Sequence, residues 1–391
     1  MKKVFALVLA VLMTVTMFAG CGASKPAATE AASGNETAGG VIKIGTSGPL
    51  TNDYAVYGVA VANGLELAFE EINAMGGLQF EVRAEDDEAD SEIAVNAYNT
   101  LMDWGMQIMA GPTTSGSAAA AAAECAADGV FMLTPSASDA AVITAGDNVF
   151  QICFTDPNQG IGSADFIASH NLATKVGIIY DSSNPYSVGI YTKFKEQAAT
   201  VGLEIVAEEA FTADNKADLS TQVTKCQEAG CDLVFLPIYA AEAALVLTCA
   251  NNIDYAPAFF GCDGLDGVLS QENFDPALAE GVMLLTPFDA SSSDEKTQAF
   301  VKAYTEKYGI APNQFAADAY DVGYAIYQAC VNANVTADMT AEEICELMIA
   351  QFTTMSFDGL TGAGMTWGAD GAVSKLPMAV KIENGVYVGV E

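Results

Sequence analysis

The chain has 391 residues, and 50 acidic side chains against 15 basic ones give it a formal charge of −35. That balance argues against nucleic acid as a partner and disfavours long-range capture of anions, whereas a net-neutral solute such as a zwitterion would feel little of the field. With 51% hydrophobic residues the chain is no disordered acidic tail, and its length suffices for two domains.

In chain order, the first element is an address. Lys2-Lys3 precede an apolar run, Val4 to Met17, that is too short for a comfortable membrane span. The run ends in Phe18-Ala19-Gly20-Cys21, which resembles a bacterial lipobox. Residues 1–21 are therefore expected to be a lipoprotein signal peptide, with Cys21 lipidated. A diacylglyceryl group would supply the two acyl chains that stable anchoring needs. Residues 22–40, rich in Ala, Gly, Ser and Thr, are expected to be a flexible tether.

From Val41 the chain alternates strand and helix. Val41–Gly45 is a predicted strand and Val59 to Ala74 a helix stopped by Gly76-Gly77. Gln79–Arg83 is a strand ending in Glu85-Asp86-Asp87, and Ser91 to Trp104 a helix. Asp86 and Asp87 have no carboxylate or histidine cluster beside them, so a capping or solvated turn is expected there, not a metal site. The stretch from Ile108 to Asp139 then gives a short apolar run, the hydroxyl-rich loop Thr113-Thr114-Ser115-Gly116-Ser117, an alanine helix from about Ala118, the strand Val130–Leu133 and a second loop through Ser136-Ala137-Ser138. In an open parallel sheet ligands sit beyond the carboxyl ends of the strands, so these two loops are the first place to look for one. Ser115, near a helix N-terminus, suits an anion through free N–H groups and the helix dipole, or is a plain N-cap.

Predicted strands follow at Val149–Phe154, Lys175–Tyr180, Leu203–Glu209, Leu233–Pro237 and Ala258–Phe260, with helices at Ser187–Val201, Lys216–Ala229 and Ala240–Asn251. Strict alternation of this kind predicts an α/β fold with parallel sheets covered by helices on both faces. Three successive helices (Asp294–Tyr308, Asn313–Asn334, Ala341–Gln351) break the pattern. A hairpin turning at Glu383-Asn384-Gly385 closes the chain.

Several chemistries are disfavoured. The single histidine, His170, gives no partner for a Ser-His-Asp triad or a histidine-ligated zinc site. It reads as a helix C-terminal residue. Gly160-Ile161-Gly162 is not a full dinucleotide fingerprint. Eight cysteines follow Cys21, with no C-x-x-C among them. Cys226 and Cys231 are the closest pair, and the sequence leaves their state open. No metal and no cofactor is expected.

The segments IKIGTSGPLTNDYAVYG, INAMGG, AGPTTSG, TPSASD, IIYDSSNPYSVG, LPIYAAEAAL and FFGCDGLDG, in this order, resemble the extracellular solute-binding proteins of branched-chain amino-acid ABC transporters. The resemblance runs from about Val41 to the end. It implies a type I periplasmic-binding-protein fold, two doubly wound parallel-sheet lobes joined by a three-strand hinge. Lobe 1 would be residues 41–155 plus about 287–363, and lobe 2 residues 156–286 plus about 364–391. It further implies that Ser115 and Ser138 bond a ligand carboxylate, with Ser136 and Ala137 beside them. Tyr57 would wall the side-chain pocket, with Tyr54 a weaker candidate, and Tyr186, Tyr239 and Asp263 would meet the ammonium from lobe 2. The best-known leucine binders of that family carry Glu where this chain has Asp263, which leaves the ligand's identity open. The expectation is an extracytoplasmic, membrane-anchored receptor, not an enzyme, that hands a small aliphatic amino acid to ABC permease subunits. A binder of a short amide or another small carboxylate, and a sensing lipoprotein without transport role, are the alternatives.

Overall fold

The computed structural model describes residues 40–390. The leader, Cys21 and the tether up to residue 39 lie outside the described residues. No helix among the described residues is long and apolar enough to cross a membrane.

The first lobe forms around β1 (Ile42–Gly48), β2 (Phe80–Asp86), β3 (Ile108–Met109), β4 (Phe131–Thr134) and β5 (Val149–Gln151). These are all parallel, in the order β2-β1-β3-β4-β5. The helices between them are α1 (Ala55–Ala74), α2 (Ser91–Trp104) and α3 (Ser115–Asp128). Helix α2 starts where the Asp90 side chain accepts from Glu92 and Ile93 N–H, and it ends at Gly105 in the left-handed region, a complete pair of caps.

The chain then enters the second lobe with α4 (Asp156–Ser169) and continues through β6 (Val176–Asp181), α5 (Pro185–Val201), β7 (Ile205–Phe211), α6 (Ser220–Glu228), β8 (Leu233–Leu236), α7 (Ala240–Asn252), β9 (Ala258–Gly261) and β10 (Met283–Thr286). It returns with α8 (Glu295–Tyr308), α9 (Gln314–Ala333) and α10 (Ala341–Phe352), which pack against α1 and β4 of the first lobe. It ends in the second sheet with β11 (Met378–Glu383) and β12 (Val386–Val390). That sheet runs β12-β11-β10-β9-β8-β6-β7, parallel apart from the antiparallel β10–β11 and β11–β12 pairs. Asn384 and Gly385, with φ of 53° and 76°, make the tight turn that twisted strands prefer.

The crossings occur near residues 152–156, 286–290 and 376–378. The last lies later than residue 364, because Trp367 Nε1 donates to Gln151 O at 2.9 Å and Gln151 N donates to Gly371 O at 3.1 Å. Those bonds keep the segment through Gly371 beside β5. Lys375, buried, donates to Asp318 of α9 at 2.6 Å just before the chain leaves.

Two elements go beyond the sequence reading. Helix α4 begins at residue 156, where a longer strand through Phe154 is expected, and its glycines disguise it. A Cβ on Gly160 would sit 2.6 Å from Ile190 O and 2.7 Å from Phe194 N, so the residue serves close packing against α5. Strand β10 carries the apolar run Met283-Leu284-Leu285. At β2, Asp87 is fully buried rather than solvated; it accepts from Ser47 Oγ and Ala89 N, both at 2.9 Å. Burial pushes its carboxyl up to about 6. His170 caps the C-terminal end of α4, with Nδ1 2.9 Å from Phe166 O.

Candidate functional site

Both sheets point the carboxyl ends of their parallel strands at one crevice, and each loop there follows such an end. Residues 110–114 follow β3, 135–138 follow β4, 182–184 follow β6, 237–239 follow β8 and 262–264 follow β9. This is the switch-point geometry in which α/β sheets place ligands, repeated by two lobes facing each other.

The first-lobe wall is made of hydroxyls held in fixed orientations. Thr134 Oγ1 donates to Pro112 O at 2.7 Å and accepts from Ala137 N at 3.0 Å, and Ser136 Oγ donates to Thr113 O at 2.7 Å. Ser115 is the first residue of α3, with Thr114 as its N-cap. Its Oγ accepts from Asp139 N at 3.2 Å, which ties the two loops together. Thr114 Oγ1 and Ser138 Oγ are buried and take no protein partner, so both are free to bond a ligand.

The second-lobe wall is acidic and aromatic. Tyr186 OH donates to Asp263 Oδ1 at 2.7 Å and accepts from Gly264 N at 2.9 Å. Asp263 N donates to Gln159 Oε1 at 3.1 Å, and its carbonyl accepts from Gln314 Nε2 at 2.9 Å. Tyr239 stacks on Tyr186 with ring centres 4.8 Å apart and planes 10° from parallel. Burial raises the Asp263 carboxyl to about 7, against the favourable bonds from Tyr186 and Gln159. Asp156, first residue of α4, is 1% exposed, and burial holds its carboxyl well above the usual range. It lies within reach of Ser138 Oγ, yet neither of its oxygens completes a hydrogen bond to protein. Asp263 thus faces the crevice with Asp156 buried nearby, and among the described residues neither carboxylate has a cationic partner.

Aromatic side chains of α1 and the turn before it join the lobes. Tyr57 OH donates to Gly264 O at 2.6 Å and accepts from Ala240 N at 2.7 Å. Tyr54 OH donates to Glu242 Oε1 at 2.6 Å, and Lys216 Nζ reaches both that carboxylate, at 2.9 Å, and the Tyr54 hydroxyl. The lobes are therefore closed on each other. Between them lies a narrow cavity lined by Tyr57, Thr113, Thr114, Ser115, Ser136, Tyr186, Tyr239, Asp263, Gly264 and Phe315.

Six of the eight expected ligand-binding residues line that cavity: Tyr57, Ser115, Ser136, Tyr186, Tyr239 and Asp263. Ala137 and Ser138 lie one layer behind, fully buried, with Ser138 against Asp156. Tyr54 stands outside the wall, in the latch with Glu242. The sequence reading missed Asp156 and Gln159, which lie in the first turn of α4, a helix it located only by its end at His170. The run Thr155-Asp156-Pro157 was the available signal: a hydroxyl N-cap followed by Pro in the first turn. It also missed Phe315 and Glu242, which only the fold brings near. A much larger crevice runs beside the cavity, with Val56, Val59, Leu269, Phe288 and Val386 in its walls. None of the loop residues that follow β3, β4, β6, β8 and β9 lines it, so the small cavity is the candidate site.

Residues 41–385 match the periplasmic binding protein family. The chain is 28% identical over 304 residues to a Leu/Ile/Val-binding protein homolog of Brucella melitensis, covering 77% of this chain and 81% of the relative. It is 29% identical over 283 residues to the leucine-, isoleucine-, valine-, threonine- and alanine-binding protein of Pseudomonas aeruginosa, covering 71% and 75%. Among solved structures it is similar to a leucine binding protein of Thermotoga maritima, with a TM-score of 0.79 and 25% identity over 90% of this chain and 98% of the other. A branched-chain amino acid transporter substrate binding protein of Streptococcus pneumoniae, solved with isoleucine, gives a TM-score of 0.78 and 28% identity over 90% and 100%.

Proposed function

The chain belongs to the periplasmic binding protein family, and on that premise we propose that it captures a small aliphatic amino acid between its lobes and delivers it to an ABC permease. It is a binding protein of the extracytoplasmic space, not an enzyme. The observation that carries the choice of ligand is the polarity of the cleft. The first lobe lines the cleft with hydroxyl side chains (Thr114, Ser115, Ser136) and the second with a carboxylate (Asp263), while Ser138 and Asp156 are buried behind them. A zwitterion matches both walls at once: its carboxylate needs several donors, its ammonium a carboxylate. Tyr186 holds Asp263 in place, Tyr239 stacks on Tyr186, and Tyr57 with Phe315 forms the wall for a short apolar side chain. The names of the relatives, which bind leucine, isoleucine and valine, support the same class.

Closure is the mechanism that this division implies. A ligand shifts an open–closed equilibrium only through contacts it makes better in one state. Anchors on opposite lobes meet that condition. Tethering through a lipidated Cys21 would keep the receptor at the membrane beside its permease, and a Cys21→Ala chain should be released into the medium.

The test is a thermal-shift screen against the twenty amino acids followed by calorimetry, since a specific ligand stabilises by mass action. Stabilisation by leucine, isoleucine, valine or a similar small aliphatic residue is expected, and not by the corresponding 2-hydroxy acids or by simple amides. A best ligand that lacks an amino group would overturn the zwitterion reading.

A further inference from the structure

The geometry points to Cys226 and Cys231 as a disulfide-forming pair that locks the end of α6 onto the second sheet. The local backbone creates it. Helix α6 ends with Ala229 still helical and Gly230 at φ 72°. Gly230 N donates to Gln227 O at 3.0 Å and Cys231 N donates to Cys226 O at 3.1 Å. That is the paired-bond helix terminus in which the residue after the left-handed glycine packs on the residue three before the cap, normally as two apolar side chains. Here both members of that contact are cysteines.

Their sulfurs converge on one point. A Cβ on Gly177 of β6 would lie 2.8 Å from Cys231 Sγ and 3.0 Å from Cys226 Sγ. The 3.1 Å backbone bond brings the two α-carbons to about the separation that disulfides span. Both side chains are buried, Cys226 at 0% and Cys231 at 4% exposure, and Cys231 keeps the slight access that a small oxidant needs. The two thiols perturb each other, which holds Cys231 below the usual thiol range and Cys226 above it. Cys231, the more exposed of the two, is the sulfur that an oxidant reaches first.

With a small-molecule disulfide as oxidant the step balances. The Cys231 thiolate attacks one sulfur of oxidised glutathione, forms a mixed disulfide and releases one glutathione thiolate. Cys226 then loses its proton to solvent and attacks the Cys231 sulfur, expelling the second glutathione. Two protein thiols lose two protons and two electrons, and one glutathione disulfide becomes two thiols.

The experiment uses the full chain, both incubated natively with oxidised glutathione and refolded in it, then alkylated in denaturant and cleaved after Glu228. The fragments on either side of that cut should stay joined until reductant is added. Cys231→Ala should abolish the link. Thermal unfolding of the oxidised protein should come about 2 °C above the reduced form, as expected for closing a six-residue loop in a chain of this size. Independent alkylation of both cysteines after both treatments, or linkage of either to a different cysteine, overturns the assignment. Amino-acid binding is not needed for any of these readouts.

Discussion

Asp263→Asn separates the charge of the cleft from its shape. An asparagine Oδ1 can still accept from Tyr186 OH, now at 2.7 Å from Asp263. The backbone bonds of residue 263 to Gln159 and Gln314 are untouched. What disappears is the negative charge, and the new amide NH₂ faces the ligand ammonium donor to donor. Loss of one partner from a desolvated ion pair costs ~3–5 kcal/mol, roughly a hundred- to a few-thousand-fold in Kd. The same substitution has the opposite sign on the ligand-free protein. A carboxyl whose pKa is about 7 when folded, against 3.8 in its ordinary setting, contributes stability below pH 4 that is lost as pH rises toward 7. By linkage the penalty at pH 7.5 has an upper bound of roughly 4 kcal/mol, and asparagine removes it. Calorimetry with the best amino acid, beside thermal unfolding of the apo protein at pH 7.5, should show weaker binding with equal or higher Tm. The wild type should also bind more tightly as pH rises from about 5.5 to 7, releasing up to one proton, and level off above. The variant should lose most of that slope. Affinity within threefold of wild type, or a Tm loss that tracks the affinity loss, would refute the reasoning.

Other perturbations act on closure and on the frame. Tyr57→Phe removes the hydroxyl that joins Gly264 O and Ala240 N across the lobes. Ligand affinity should fall by about 1–3 kcal/mol, and ligand-induced compaction in small-angle scattering should shrink; equal compaction would remove Tyr57 from the closing machinery. Gly264→Ala would place a Cβ 2.6 Å from Tyr186 OH and 3.0 Å from Ile238 O. It should displace the Tyr186–Asp263 pair and abolish binding measured by calorimetry while far-ultraviolet circular dichroism stays native. Lys375→Met leaves Asp318 buried without its 2.6 Å partner. A cost of ~3–5 kcal/mol should lower Tm by several degrees, and an unchanged Tm would mean that Asp318 takes up a proton at little cost.

Much of this was legible because it is local. The strand–helix alternation, the hydroxyl loops after β3 and β4 and the aspartate after β9 each follow from a few neighbouring residues. The unread parts depend on distance or on packing. Helix α4 carries Gly160 because α5 approaches it, so the residue that makes the packing possible also lowers the helical signal. Asp87 caps its turn through Ala89 N, one of the two readings its neighbours allow, but nothing nearby shows that Ser47, forty positions earlier, is its second partner and that it is buried. The Tyr54–Glu242–Lys216 latch joins residues 188 and 162 positions apart. The last crossing was placed early because the bonds of Trp367 and Gly371 to β5 have no sequence signature.

The latch and the cleft together bear on how binding and closing are coupled. In the closed form the lobes already exchange hydrogen bonds through Tyr54 and Tyr57 without help from a ligand. Part of the free energy of closure is therefore protein with protein, at about 1 kcal/mol net per bond. Against it stand Asp156 and Asp263, two carboxylates that closure dehydrates with no cation between them, each held toward its protonated form by burial. On the proposed reading an ammonium entering between the lobes reverses that term, while the Thr114 hydroxyl gains an acceptor it lacks in the protein alone. The ligand thus does not have to supply the whole of closure. On the proposed reading it cancels an electrostatic penalty in the cleft, which above about pH 7 a cationic group does more fully than a neutral one.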